Sequence, residues 1–429
     1  MQAGGVLRSR RAPGARVLTA ALLLTSVALA SGCTSPAPTV PTGGDDQVEV
    51  VTWWASGSEK GALDSLVGVF QQQYPETRFV DAAIAGGAGT AAKDLLLSRL
   101  RNGDPPDTFQ VHGGGELREH VESHRVQSLA ALYTELGLAD VLPASIVDLV
   151  SVDGVPYAIP ADVHRANVLW TNPTVLREAG LDPTGTYATL DDWFVVLDAL
   201  QEQGQTPLAL GSTWTQVHLL EQVLLARLGP AAYVGLWDGS TDPTSAAVTG
   251  AIADFARLLS YTNADRDRLD WQDTTQRVID GHAAFTVMGD WALVPFEQSG
   301  MTSPADLVWS PVPGTQGTFD AVVDAFALPV GAPHPDSAKE WLRTVASVEG
   351  QATLSQAKGS LPPRTDVEPI GSYQHDALRS FRDDTVVPSI THGTASDPAT
   401  LDAVMTAVHR FTTGATGPKA FQAELADAL

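Results

Sequence analysis

Between residues 49 and 75 the hydrophobic pattern of the chain changes period. Val50, Val51 and Thr52 are consecutive β-branched residues, which suits a buried strand. Leu63, Leu66, Val67, Phe70 and Tyr74 then recur at helical spacing and predict a helix with one apolar face. Trp53 and Trp54 fall between the two, where the strand stops and the turn begins. In open α/β sheets, ligands bind at that carboxyl edge. Two large aromatic rings beside a turn of Ser and Gly leave hydrophobic surface that something flat has to cover.

The same strand-then-helix unit recurs. Residues 78–84 read as a strand, followed by Gly86, Gly87, Ala88 and Gly89 and a helix carrying Leu95, Leu96 and Leu100. Residues 108–111 read as a third strand, running into His112 and then Gly113–Gly115 and another helix. Three strand ends therefore deliver Trp53 and Trp54, the glycines, and Gln110 with His112 toward one edge. The glycine loop is not a P-loop, because no Gly-Lys-Ser/Thr follows it; its expected role is a close backbone approach.

Further along, 155–160 and 163–171 are extended, and Pro173 opens a helix that Gly180 stops. Thr189 with Asp192 forms a capping box for a helix over 190–203. A strand over 206–210 leads to Trp214 and a long helix, and 244–261 is a second amphipathic helix. A helix over 274–280 and a strand over 283–288 close on Gly289, Asp290 and Trp291. Strands over 307–311 and 321–328 follow, the second with Asp324 among apolar neighbours; 335–347 is a helix. Lys358-Gly359-Ser360 and His392-Gly393 are expected in loops between later helices, before two terminal helices. Alternation of strands and helices throughout predicts α/β layers, and no internal repeat of fixed period is visible.

Composition narrows the partners. The 429 residues are 44% apolar and 18% charged, which fits a globular chain of about two or three domains. The net charge of −24 argues against nucleic acid and against an anionic membrane surface, since both need a basic face.

The N-terminus reads as a leader rather than as part of the fold. Arg8, Arg10, Arg11 and Arg16 precede an apolar run over 17–30, and small residues lead to Cys33. That is a secretory signal, too short for a comfortable transmembrane span. Its removal takes away four positive charges and moves the net charge from −24 to −28. Cys33 is the single cysteine, so no internal disulfide is possible. Its position resembles the lipobox of bacterial lipoproteins, with Ala30 where Leu is usual. The expectation is a signal over 1–32, then a lipidated Cys33 and a Pro/Thr/Gly tether over 33–47, holding the body at the outer face of a membrane.

Enzyme chemistry finds little support. None of the ten histidines forms a His-x-His pair, and no metal or other cofactor is expected. No Gly-x-Ser-x-Gly elbow occurs. Asp290 and Asp324 have the residue types of a glycosidase acid/base pair, and equally of two hydrogen-bond acceptors for sugar hydroxyls. Residue type leaves both open.

Taken together, these segments resemble the extracellular solute-binding proteins of bacterial ABC sugar importers, family 1, and among them the glucose/mannose-type sugar-binding lipoproteins. The similarity runs through VTWWASGSE (51–59), AAIAGGAG (82–89), NGDPPDTFQVHGG (102–114), IPADVHRANVLW (159–170), PLALGSTWTQVHL (207–219), GHAAFTVMGDW (281–291), WSPVPGTQGTF (309–319), KGS (358–360) and HG (392–393). It implies an α/β, two-lobed periplasmic-binding-protein fold, type II-like, with a multi-stranded hinge and a ligand cleft between the lobes. The implied N-terminal lobe is 48–159 plus 307–352, and the C-terminal lobe 160–306 plus 353–429. The carried-over sugar contacts are Trp54 and Trp271 as stacking platforms, Trp214 as a wall, and Glu59, Gln110, His112, His164, Asp290, Asp324, Lys358 and His392 as a polar ring. Because adjacent strand residues point to opposite faces, Trp53 is assigned to packing and Trp54 to the ligand. The implied function is a non-catalytic receptor that captures a monosaccharide (glucose-, mannose- or galactose-like) and presents it to ABC permease subunits, as a monomer on the extracytoplasmic side. The alternatives are an oligosaccharide-binding member of the same family and a secreted glycosidase.

Overall fold

The structure is a computed structural model that describes residues 46–86 and 89–429. The expected signal segment, Cys33, the tether as far as residue 45, and Gly87 and Ala88 lie outside the described residues.

The opening pattern folds as its periods dictate. Gln47–Thr52 is a strand with Val48, Val50 and Val51 buried. The Gly57–Gln73 helix buries Ala62, Leu63, Leu66, Val69 and Phe70 against the sheet. Arg78–Ala83 and Thr108–His112 pair parallel on either side of the first strand. On its far side Thr108–His112 meets Thr318–Ala327, which runs antiparallel to it. Thr318–Ala327 in turn pairs antiparallel with Ala158–Arg165 and parallel with Thr385–Pro388, completing a six-stranded sheet.

A second sheet has four strands, in the order Val308–Pro311, Val168–Thr171, Phe285–Val287, Leu208–Ala209. Each sheet has its own apolar core. The first gathers Phe109, Ile159, Phe326 and Trp341; the second gathers Trp193, Phe194, Leu224, Phe255 and Phe285. Among the described residues no helix is long and apolar enough to cross a membrane.

The chain crosses between the sheets at two adjacent places. Ala158–Arg165 belongs to the first sheet and Val168–Thr171 to the second, with only Ala166 and Asn167 between them. Val308–Pro311 and Thr318–Ala327 make the return crossing. Hydrogen bonds tie the crossings together. Asn167 Nδ2 donates to Thr318 O and to Thr315 Oγ1, both at 2.9 Å, and Ala166 N–H donates to Asp320 O at 2.8 Å.

Two segments pair or pack across the expected boundaries. Val308–Pro311 was placed with the first lobe, but it pairs with Val168–Thr171 and so sits in the second sheet. The Val348–Lys358 helix straddles the expected boundary at 353, yet it packs along Gly57–Gln73 of the first lobe. The boundaries are those the resemblance implies, whereas pairing and packing decide which sheet a segment serves. Lys358 itself is not in a loop. It is the last residue of that helix, stopped by Gly359 in the left-handed region (φ 75°).

The capping box at Thr189 and Asp192 forms as expected, with reciprocal bonds at the start of Leu190–Glu202. The long helix, Thr213–Asp238, is interrupted at Gly229-Pro230, where Gly229 takes a positive φ.

Candidate functional site

Strand periodicity and register assemble the floor of a cleft. Gln110 and His112 share one face of their strand, as do Asp162 and His164 of theirs, because side chains alternate with period two. The Thr318–Ala327 strand lies between them, with Asp324 opposite both His112 and Asp162 and Val322 opposite His164. Lys358 arrives from the end of its helix. Its Nζ lies 3.0 Å from Asp324 Oδ2 and 3.4 Å from Asp162 Oδ2.

The charges on this floor are matched to one another. His164 Nδ1–H donates to Asp290 Oδ1, while its Nε2 faces Asp162 Oδ2 at 3.4 Å and Asp324 Oδ2 at 3.8 Å. Burial opposes the His164 cation, but Asp162 and Asp290 outweigh it against Lys358, and the pKa is raised to about 10. Burial also opposes ionisation of Asp324. Lys358, His112 and His164 overcome it and hold that carboxyl well below the usual carboxylate range. Lys358 is raised in the same way, by Asp162, Asp324 and Glu59 against the effect of burial. The floor therefore holds fixed, oriented charges at neutral pH. Buried ions are tolerated only when paired in this manner.

Around the floor runs a cleft with about 560 Å³ of empty space, part of it open to solvent. Its lining includes Glu59, His112, His164, Trp214, Trp271, Asp324, Lys358 and His392, all expected from the sequence. Glu59 is half-buried, and burial pushes its carboxyl up to about 7 against the pull of Lys358. His112 Nδ1 lies 3.0 Å from Glu116 Oε2 and 3.2 Å from Lys93 Nζ, and its Nε2 faces Asp324 Oδ1 at 3.4 Å. Burial together with the neighbouring His218 and His112 pushes His392 well below its ordinary value, so it is neutral.

Three expected contacts are placed elsewhere. Trp54 is completely buried. Its ring meets Phe326 edge-on at 5.7 Å and lies 4.1 Å under the Lys358 ammonium, inside the first core. The neighbouring Trp53 lines the cleft instead, its ring 4.7 Å from His112 and 5.0 Å from the Lys93 ammonium. The two rings do face different ways, but the assignment is the reverse of the one expected. The regular strand ends at Thr52, and Trp54 N–H bonds back to Thr52 Oγ1 at 3.2 Å, which directs its ring inward. A Cβ on Gly89 would come within 2.7 Å of the Trp53 ring, so the glycine there makes room for the tryptophan.

Gln110 and Asp290 stand behind the lining rather than in it. Gln110 accepts from Thr52 Oγ1–H and Trp53 N–H and donates to Asp324 Oδ1 at 3.0 Å, fixing the carboxylate. Asp290 accepts from His164, from Arg165 N–H at 2.9 Å and from the Tyr373 hydroxyl at 3.3 Å.

Several contributors to the cleft carry little signal in the sequence. Asp270 caps the Trp271–Ile279 helix by accepting Trp271 N–H at 2.8 Å, and it also accepts the Trp214 indole N–H at 3.2 Å. One carboxylate thereby sets two of the aromatic walls. The capping box it forms with Asp273 was the available signal. Trp291 adds another ring, 5.3 Å from His164 and 5.1 Å from His392. Its own ring folds over Gly289, where a Cβ would meet it at 2.2 Å, which explains the Gly-x-Trp spacing. Asp162 had no signal beyond its place in an extended run; its role appears only once the strands are in register.

A family profile described as bacterial extracellular solute-binding protein matches residues 54–352. An ABC transporter extracellular-binding protein of Pyrococcus horikoshii is 35% identical over 396 residues, which span 90% of this chain and 88% of that protein. The xylose/arabinose-binding protein XacG of Haloferax volcanii is 30% identical over 377 residues, spanning 85% of this chain and 80% of the other. Among solved structures, a chitin oligosaccharide binding protein shares the fold with a TM-score of 0.79 at 18% identity, covering 89% of this chain and 97% of that one.

Proposed function

Because this chain belongs to the bacterial extracellular solute-binding proteins, we propose that it is the sugar receptor of an ABC importer, taking a hexose-like monosaccharide in its cleft and handing it to the permease. The observation that carries the reading is the pairing of two surfaces. Trp53, Trp214, Trp271 and Trp291 offer flat apolar faces, and Glu59, His112, His164, Asp324 and Lys358 offer a ring of fixed donors and acceptors. A pyranose has the matching anatomy, with C–H faces that pack on aromatic rings and hydroxyls that both donate and accept. Hydrogen bonds to charged groups contribute roughly 1.5–3 kcal/mol each when water is excluded. A relative that binds xylose and arabinose by name supports a monosaccharide. Trp53 replaces Trp54 as the first-lobe platform.

Asp290 is enclosed by His164, Arg165 and Tyr373 and does not line the cleft, which disfavours the glycosidase pair. Lipid attachment at Cys33 completes the reading by keeping the receptor beside its permease on the extracytoplasmic side. The test is calorimetry on the purified full chain with glucose, mannose, galactose, xylose, maltose and cellobiose. One monosaccharide is expected to bind at least about tenfold tighter than either disaccharide, a difference of roughly 1.4 kcal/mol. Equal or tighter disaccharide binding moves the protein to the oligosaccharide class, and no binding of any sugar sinks the proposal. Loss of incorporated labelled fatty acid in Cys33→Ala tests the anchor.

A further inference from the structure

On the second-lobe side of the cleft, His218, Glu221 and His392 are buried together, and one ligand-type atom from each lies within 4.8 Å of the others. His218 and Glu221 stand three apart on the Thr213–Asp238 helix and so face the same side. His392 comes from the loop after Thr385–Pro388.

The remaining polar atoms of these residues are already engaged in orienting them. His218 Nε2–H donates to Ala166 O at 3.1 Å, which fixes the tautomer and leaves Nδ1 as a bare lone pair. That Nδ1 is fully buried, has no hydrogen-bond partner among the described residues, and lies 4.0 Å from Glu221 Oε2. Glu221 Oε1 accepts from the Tyr233 hydroxyl and from Ile390 N–H, both at 2.6 Å. Its Oε2 accepts from the Ser389 hydroxyl at 3.1 Å, and Ser389 Oγ lies 2.8 Å from His392 Nδ1. Histidines that bind metals are held in this way, with the second ring nitrogen bonded to a backbone carbonyl or a polar neighbour. The His218 lone pair and the Glu221 carboxyl oxygen face each other at 4.0 Å, too far for a hydrogen bond, and a positive centre between them satisfies both.

The geometry points to a binding site for a divalent transition metal of the zinc class, with His218 Nδ1, Glu221 Oε2 and one nitrogen of His392 as ligands. Metal–ligand bonds of about 2.0–2.2 Å place tetrahedral ligands about 3.4 Å apart, so the 4.0 Å gap has to close by roughly half an ångström. His218 and Glu221 share one helix, so side-chain rotation alone has to close that gap, while His392 approaches from its loop. Three protein ligands leave a fourth position for water. A second cluster of ligand-type atoms, Asp162, His164 and Asp324, does not qualify, because the Lys358 ammonium already supplies the positive charge there. The bound ion would pin the loop that carries His392, itself a residue of the cleft lining, to the long helix.

The test uses the full chain without a histidine tag, stripped with a chelator and titrated with zinc, with magnesium as control. Metal analysis after desalting is expected to find one zinc per chain. The melting temperature is expected to rise with zinc concentration, because an ion bound only by the folded state stabilises it. Cobalt is expected to give the absorption bands of a four-coordinate site. His218→Ala, compared with its own metal-free melting temperature, is expected to lose the rise, the retained zinc and the cobalt bands, and Glu221→Gln likewise. A wild type that retains no zinc, or a His218→Ala variant that retains and responds to it as the wild type does, overturns the assignment.

Discussion

On the floor of the cleft, Asp162, His164, Asp324 and Lys358 are almost completely buried, and each is paired with another of the group. On the second-lobe wall, Trp214, Trp271, Trp291 and His392 are buried to a similar degree without forming an ion pair. The difference follows from what holds each surface. Floor residues come from the hinge strands and a helix end, where the hydrogen-bonded ladder fixes every position, so opposite charges can be set to neutralise one another. Wall residues come from helix starts and a loop, where a planar ring needs only one or two anchoring bonds, such as those from Asp270 to Trp214 and Trp271. The floor thus joins folding to binding through charge, whereas the wall does so through apolar packing, since Trp214, Trp271 and Trp291 belong to the first apolar core. In a two-lobed fold the wall travels with its lobe on opening while the floor stays at the hinge.

Asp324→Ala is expected to have the largest effect. It removes the partner of Lys358, Gln110 and both floor histidines and leaves Lys358 beside Asp162 alone. Breaking a buried pair costs about 3–5 kcal/mol, read as a fall in the denaturant midpoint together with lost sugar binding; a stable variant that merely binds weakly would break the contrast between the two surfaces. Trp54→Ala is expected to destabilise the fold by about 3–5 kcal/mol, as for a core tryptophan. Its neighbour should behave differently. Trp53→Ala is expected to weaken sugar binding by about 1–3 kcal/mol and, because the ring is also part of the first core, to lower the denaturant midpoint, though less than Trp54→Ala does. Trp271→Ala should resemble Trp53→Ala, losing affinity together with part of the stability that its buried ring supplies. If Trp54→Ala proved to be the affinity variant and Trp53→Ala the stability variant, the placement of the two rings would be wrong.

The pair at 53 and 54 also marks how far the sequence can be read. Periodicity in Val50–Thr52 and Leu63–Phe70 was enough for the strand, the helix and the edge between them, because each period is set by local geometry. Alternation further implied that the two rings separate. It could not say which ring turns inward, since the regular strand stops at Thr52 and the choice depends on Phe326 and Lys358, more than 270 positions away. Asp162 was invisible for the same reason: only the register against Asp324 gives it a role. Lys358, by contrast, lines the cleft from the end of a helix rather than from the expected loop, and Gly359 beside it is a common helix stop. The short strand Val308–Pro311 carries no local mark of its sheet either: it pairs with Val168–Thr171, whereas the strand that follows it, Thr318–Ala327, belongs to the other sheet. What the sequence lacks throughout is long-range pairing, and the floor is built from it.

At neutral pH the smallest effect belongs to the charge state of His164, and it separates the two surfaces by shape rather than by size. Its folded pKa, about 10, lies above the ordinary histidine value of about 6.5. A group raised in this way contributes stability that is fully present below pH 6.5 and is lost as the pH climbs toward 10. One proton sets the steepest slope at about 1.4 kcal/mol per pH unit, so at pH 7 only the beginning of that loss is felt. Melting temperatures of the wild type are therefore expected to fall across that window, ahead of any general alkaline unfolding. His164→Gln should flatten this limb. Asp290→Asn, which removes one of the two carboxylates sustaining the imidazolium, should move the fall to lower pH. Trp271→Ala, a change confined to the wall, should keep the wild-type profile. If the limb survived His164→Gln, or if Trp271→Ala removed it, the fixed charge would not reside on the floor.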